Sequence, residues 1–187
     1  MSSIKLKGST SGDITISAPA VAGTNTLTLP ASTGTVAISN VLHVRDEKTA
    51  STSGGASSAT TDNVRTLNTV VTNEITGASL GSNRITLPAG TYFIEASAPA
   101  FLVNRHRILF YNITDSAVAL LGMNKYADST ASAHNTSDLT GRLILGAEKV
   151  LELRHYTESA RASNGLGVNS DDSRTSIFAN VIVTKVA

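Results

Sequence analysis

The sequence predicts an all-β protein, an antiparallel sandwich or jelly roll, on three observations. Ser and Thr fill 47 of 187 positions while Asp, Glu, Lys and Arg together make up 16%, so strand-favouring residues are abundant and the usual helix-surface residues scarce. Apolar or alternating segments recur at short, regular intervals over the whole length, as the strands of a sandwich do. Glycine and proline fall between these segments, where turns are needed.

Residues 1–40 stand apart, with Lys5, Lys7 and Asp13 as their only charges. Ile4-Lys5-Leu6, Ile14-Thr15-Ile16, Leu27-Thr28-Leu29 and Val36-Ala37-Ile38 each set two apolar side chains on one face, the period-2 pattern of a half-buried strand. Four strands this short bury too little to offset roughly 1–2 kcal/mol of backbone entropy per ordered residue. The segment therefore needs a partner surface, and Ile4, Leu6, Ile14, Ile16, Leu27, Leu29 and Val36 are the side chains that would meet it.

Residues 41–187 read as a second domain. A strand over Val41–Lys48 is followed by a hydroxyl-rich loop, 49–61. Further strands are expected at Asn63–Val71, Arg84–Leu87, Thr91–Ala98, Arg107–Thr114, Ala117–Met123, Arg142–Leu145, Val150–Tyr156 and Ser176–Val186. Arg142–Leu145 and Val150–Leu153, joined by Gly146–Lys149, predict a hairpin, with a helix through Ala147–Tyr156 as the alternative on periodicity. The last strand is apolar on both faces, so it needs cover on both. One face goes to the core and the other to a second subunit, which makes Ile177, Phe178, Val181, Ile182 and Val183 the expected subunit contact.

Composition excludes several classes of chemistry. The absence of Cys removes disulfides, thiolate metal sites and cysteine nucleophiles. A net charge of +1 argues against an electrostatic grip on nucleic acid or anionic lipid. No apolar run is long enough for a membrane span, and the first residues lack the apolar stretch of a signal peptide, so membrane insertion and secretory export are not expected.

Gly77-Ala78-Ser79-Leu80-Gly81 matches the nucleophile elbow of serine hydrolases. A turn and a strand follow it where a helix is required, so no catalytic residue is assigned. His43, His106, His134 and His155 have no metal-ligand spacing, and Asp171-Asp172 near Asn169 reads as an ordinary polar loop, so no metal or other cofactor is expected. Arg105-His106-Arg107 is the densest basic cluster, able to grip an acidic group or to pair with Glu95 or Asp115. Arg105, Arg107, Tyr126 and His134 are the candidate ligand contacts, and the loops Asp128–Asp138 and Glu158–Asp172 are the candidate outer loops.

Two segments carry resemblances. Lys7-Gly8-Ser9 through Ala18-Pro19-Ala20 and Leu27-Thr28-Leu29-Pro30 to Gly34-Thr35-Val36 resembles a segment recurrent in fibre and surface proteins of tailed bacteriophages. His43-Val44-Arg45-Asp46-Glu47-Lys48, Arg65-Thr66-Leu67-Asn68-Thr69-Val70 and Leu87-Pro88-Ala89-Gly90-Thr91-Tyr92 are similar, in order, to phage knob domains with a C1q/TNF-like jelly roll. The resemblance implies a homotrimer located on the virion and assembled with other phage structural proteins of capsid, collar or tail. The expected function is that of a non-enzymatic head fibre or capsid decoration protein, its first 40 residues a trimeric anchor and its knob able to adhere to cell-surface or environmental glycans. A short tail-fibre receptor-binding protein and a free lectin-like module are the alternatives.

Overall fold

The computed structural model describes residues 3–17, 20–21, 23–24 and 40–186, and the chain divides into two compact units, Met1–Val36 and Ala37–Ala187. In the first, β1 (Ser3–Lys7) and β2 (Asp13–Ser17) form an antiparallel hairpin. Gly12, at φ 77°, turns the chain where a side chain would be strained. Ile4 lies opposite Ile16 and Leu6 opposite Ile14, so all four share one face, while the Lys5–Asp13 ion pair, 2.7 Å, occupies the other. These four side chains are 50–69% exposed. The segments holding Leu27, Leu29 and Val36 lie outside the described residues.

Among the described residues the second unit contains strands and no helix: β3 (Asn40–Lys48), β4 (Thr61–Val64), β5 (Thr69–Asn73), β6 (Ser79–Gly81), β7 (Arg84–Leu87), β8 (Gly90–Phe101), β9 (Asn104–Asn112), β10 (Ala117–Leu121), β11 (Lys125–Ala127), β12 (His134–Leu145), β13 (Lys149–Thr157) and β14 (Ser176–Lys185). They pair antiparallel into two sheets. One runs β12-β8-β14-β3-β5; the other runs β10-β9-β13-β7-β6, with β11 also on β9 and β4 also on β13. Alternation supplies each sheet with an inner apolar face: Leu42 and Val44 from β3, Tyr92 and Ile94 from β8, Val181 and Val183 from β14 meet Ile108 and Phe110 from β9 and Leu151 and Leu153 from β13 in one buried core.

The sheet connections correct three expectations. Residues 63–71 are not one strand. β4 pairs with β13 and β5 with β3, so the chain crosses between sheets at Arg65–Asn68. Residues 142–156 are neither hairpin nor helix, because β12 pairs with β8 and β13 with β9 in opposite sheets; Leu145, Leu151 and Leu153 are all buried, which the crossing permits. The third concerns Asp128–Asp138, half of which is strand, since β12 begins at His134 and follows β8 in unbroken register from His134↔Phe101 to Leu145↔Gly90.

The last strand also differs from the two-faced reading. Phe178, Val181 and Val183 are buried in the subunit's own core, so they offer no surface to another subunit. A bulge, with Ile177 opposite Glu47 and Ala179 opposite Asp46, inserts Phe178 into the alternation and buries Phe178 and Ala179 in succession. Ile177, 48% exposed, and half-buried Ile182 remain outside.

The bulge is bound by Arg65, which is fully buried. Its guanidinium donates to the carbonyls of Phe178 and of Leu166, the latter at 2.9 Å, and its own N–H donates to the Leu153 carbonyl at 2.9 Å. Asp46, also buried, supplies the opposing charge. Burial lowers the Arg65 pKa to about 10, which leaves it charged at neutral pH. Truncating one partner of a buried charged network leaves the other groups unpaired, a cost of about 3–5 kcal/mol. Arg65→Met is expected to lower stability by that amount in urea unfolding followed by far-UV circular dichroism.

Candidate functional site

β9 turns its alternate residues to opposite faces: His106, Ile108 and Phe110 share the core side, and Arg105 and Arg107 share the other. Tyr126 of β11 stands opposite Arg105, and Tyr156 of β13 stands opposite Arg107. Register thus brings two arginines and two tyrosines onto one face, the arginines on β9 and a tyrosine on each flanking strand. They line an open cleft of about 690 Å³, completed by His106, Asn124 and Lys125. The sequence suggested Arg105, Arg107 and Tyr126, which the fold brings together. Tyr156 was missed as a contact because only the β9–β13 register brings it beside Arg107. His134 is elsewhere, in a separate hollow beside Pro99, Phe101 and Val168.

The cations of the cleft are unequally compensated. Arg105 Nη1 donates to Glu158 Oε1 at 2.7 Å, and its main-chain N–H to Oε2 at 3.1 Å. Lys125 Nζ is 3.8 Å from Asp138. Among the described residues Arg107 has no ion-pair partner. The expected partners of this cluster are engaged or remote: Asp115 binds Lys149 at 2.5 Å, and Glu95 lies on β8 in the other sheet. Tyr126 is 54% exposed. The remaining tyrosines serve the fold, the Tyr92 hydroxyl donating to the Pro88 carbonyl at 2.8 Å and Tyr111 carrying the Arg154 guanidinium 3.7 Å above its ring.

Behind the cleft lies a pair that sequence spacing concealed. His106 Nδ1 and His155 Nε2 are 2.9 Å apart and buried, so one donates and the other accepts. The two outer ring nitrogens, His106 Nε2 and His155 Nδ1, have no partner. Burial, and then Lys125, lowers the His106 pKa to about 4. His155 is pushed down by burial, then by Arg65 and His106. Both rings are neutral at pH 7.

Ser79 lies on β6, and Ser82 and Asn83, at φ 51° and 64°, turn the chain straight into β7. That is a hairpin of two left-handed residues rather than a strand-to-helix elbow. Asp171 accepts from Ser51, and Asp172 pairs with Arg174. Among the described residues no three His, Asp or Glu side chains cluster as metal ligands, and no helix is long and apolar enough to cross a membrane.

No family model matches the sequence, and no curated protein matches it. Solved structures do match in fold. Murine APRIL, a TNF-family protein, at pH 5.0 aligns with a TM-score of 0.52 at 11% identity, covering 80% of this chain and 100% of that one. Vertex protein P5 of phage PRD1 aligns with a TM-score of 0.50 at 19% identity, covering 79% of this chain and 97% of that one. The second unit is a TNF-like antiparallel jelly roll.

The histidine pair gives the protein an acid limit. The folded pKa values lie below the unfolded value of about 6.5, so between about pH 6.5 and 4 the unfolded chain binds more protons and stability falls as pH falls. His106 alone contributes about 3 kcal/mol to that loss, from its shift to about 4. Asp46, whose carboxyl is raised by burial, works in the opposite direction. Urea midpoints are expected to be level above pH 7 and to decline from pH 6.5 to 5, with a shallower decline in His106→Gln.

Proposed function

We propose that this chain is a non-enzymatic structural protein of a bacteriophage virion surface, a homotrimer mounted by its N-terminal unit, with a jelly-roll knob that adheres to glycans. The observation that carries the reading is the β1–β2 hairpin, whose four apolar side chains are 50–69% exposed among the described residues. Removing Ile, Ile, Ile and Leu from water is worth roughly 1.5–3 kcal/mol each, so the hairpin gains most of its order when that face is buried in an assembly. The phage-like pattern over residues 7–37 and the fold shared with the PRD1 vertex protein support a virion as that assembly. A head fibre or capsid decoration protein is the form of that role we favour. A free lectin-like module would leave the hairpin face unexplained.

The subunit contact is assigned to the outer face of the five-stranded sheet. Ile182 stands at its centre between His43 and Glu95. Phe93, 40% exposed, and Ile144, 63% exposed, extend the apolar surface along β8 and β12. Arg45 Nε donates to His43 Nε2 at 3.1 Å and to Asn180 Oδ1 at 3.3 Å on the same face. Several weak glycan contacts on one particle then add through avidity.

The purified chain is expected to scatter light as about 58 kDa, three chains of 19.3 kDa. Ile182→Asp should yield folded monomer, whereas Val181→Asp should fail to fold; a trimeric Ile182→Asp variant rejects the assigned face. In a second test, Ile4→Asp/Ile16→Asp should be missing from purified particles while remaining trimeric. Full incorporation of that variant would remove the anchor assignment.

A further inference from the structure

The cleft between β9, β11 and β13 has a specific chemistry, and the inference from it rests on the adhesive reading of the knob given above. We propose that it binds an acidic saccharide, a pyranose bearing one carboxylate, with Arg107 as the carboxylate clamp and Tyr126 and Tyr156 as the faces that receive the rings. Four features of the site point to this class.

Arg107 is the first. Its neighbour Arg105 is held by Glu158, and Lys125 is partly compensated by Asp138, which leaves Arg107 as the cleft's uncompensated guanidinium among the described residues. A planar fork of N–H donors matches a carboxylate in bidentate geometry. The tyrosines are the second feature. They stand on the two strands flanking β9, opposite Arg105 and Arg107, two inter-strand spacings apart and two residues offset along the strand, or about 12 Å, a span that a short run of linked sugar rings covers. Each offers an apolar face with a hydroxyl at its edge, suited to a ring with C–H groups on its face and hydroxyls around its rim.

The third feature is the carboxylates themselves. Glu158 and Asp138 border the site and repel a dense polyanion, and the chain's net charge of +1 gives no long-range attraction for one. A ligand with one charge per sugar satisfies Arg107 without crowding those acids, whereas nucleic acid or a heavily sulfated chain does not. Finally, the cleft is open and lies on strands held by core packing, so an internal unit of a long polysaccharide can enter as readily as a terminal one. A neutral glycan would leave the Arg107 charge unmatched.

The test is isothermal titration of the full-length trimer with three probes of similar length: an oligogalacturonate, its neutral counterpart an oligogalactoside, and a heparin oligosaccharide. The oligogalacturonate is expected to bind at least tenfold more tightly than the neutral probe, and the heparin fragment no better than the oligogalacturonate. Arg107→Ala should weaken the oligogalacturonate by about 10- to 100-fold, as loss of a charged hydrogen-bonded pair does. Arg107→Lys should recover part of that, and Tyr126→Ala should weaken both uncharged and charged probes. An unaltered melting temperature in each variant separates lost contact from lost fold. Equal binding of neutral and acidic probes, preference for heparin, no binding of oligogalacturonate, or full affinity in Arg107→Ala overturns the proposal. Incorporation into particles reads the structural role independently: Arg107→Ala should be incorporated normally, and a failure of the Ile4/Ile16 variant to be excluded would leave the glycan result standing.

Discussion

The second unit depends on one buried guanidinium. Arg65 sits where the chain leaves one sheet for the other: its main-chain N–H donates to the Leu153 carbonyl of β13, and its guanidinium donates to Leu166 in the 158–175 loop and to Phe178 of β14. A β-sandwich held by apolar packing alone can slide its sheets, since dispersion contacts have little directional preference. Directed bonds from one residue, its main chain to one sheet and its guanidinium to the other, fix the sheets' relative position. The β14 bulge fits this requirement, because the residue it inserts is the one whose carbonyl Arg65 takes. Close packing completes the junction: a Cβ at Gly54 would fall 2.3 Å from the Leu166 carbonyl oxygen and one at Gly167 2.6 Å from the Phe178 ring, so both positions need glycine for the loops to close over the bulge.

With the sheets fixed, their outer faces are free to diverge. The five-stranded sheet presents Ile182, Phe93 and Ile144 among short polar residues and a His43–Arg45–Asn180 network, a surface suited to close burial against a like surface. The seven-stranded sheet presents arginines and tyrosines. Its interior acid Glu152 is satisfied by Arg84 and Arg154, each with Nε at 2.9 Å, and Arg154 in turn stacks on Tyr111. That pattern of paired arginine and aromatic continues along β9 to Arg107 and Tyr156, where the carboxylate is missing. The cleft is thus the place where the sheet's own charge-pairing scheme stops short by one anion.

Much of the framework was legible because strand alternation is local. Each expected strand on described residues has a counterpart except Asn63–Val71, which divides between β4 and β5, and the period-2 placement of Arg105 and Arg107 already put both on one face. Pairing was not legible. Residues 142–156 have the local signature of a hairpin, yet a jelly roll separates such neighbours into opposite sheets, a choice made by burial of Leu145, Leu151 and Leu153 together. The polar start of β12 has the composition of a loop, and its register with β8 makes it a strand. The double burial of Phe178 and Ala179 required the bulge, which leaves no local mark. One signal was present and strong: Leu42, Val44 and Asp46 alternate onto the core face, and a carboxylate there demands a buried cation. Lys48, 3.1 Å from the Asp46 carboxylate, and buried Arg65 supply that charge.

The same demand explains the histidines. A low-dielectric interior tolerates Arg65 because Asp46 opposes it, and the balance has no room for another positive charge. After burial, Arg65 lowers the His155 pKa and Lys125 that of His106, so each imidazole feels a nearby cation. Both must remain neutral, and a neutral pair can join through one shared hydrogen bond, donor to acceptor, as the 2.9 Å contact shows. Protonating either ring turns that contact into two opposed donors beside charges of the same sign. His106 also borders the cleft. On the proposed reading of the cleft, an anion at Arg107 would ease His106 protonation and so couple ligand occupancy to the acid tolerance of the fold.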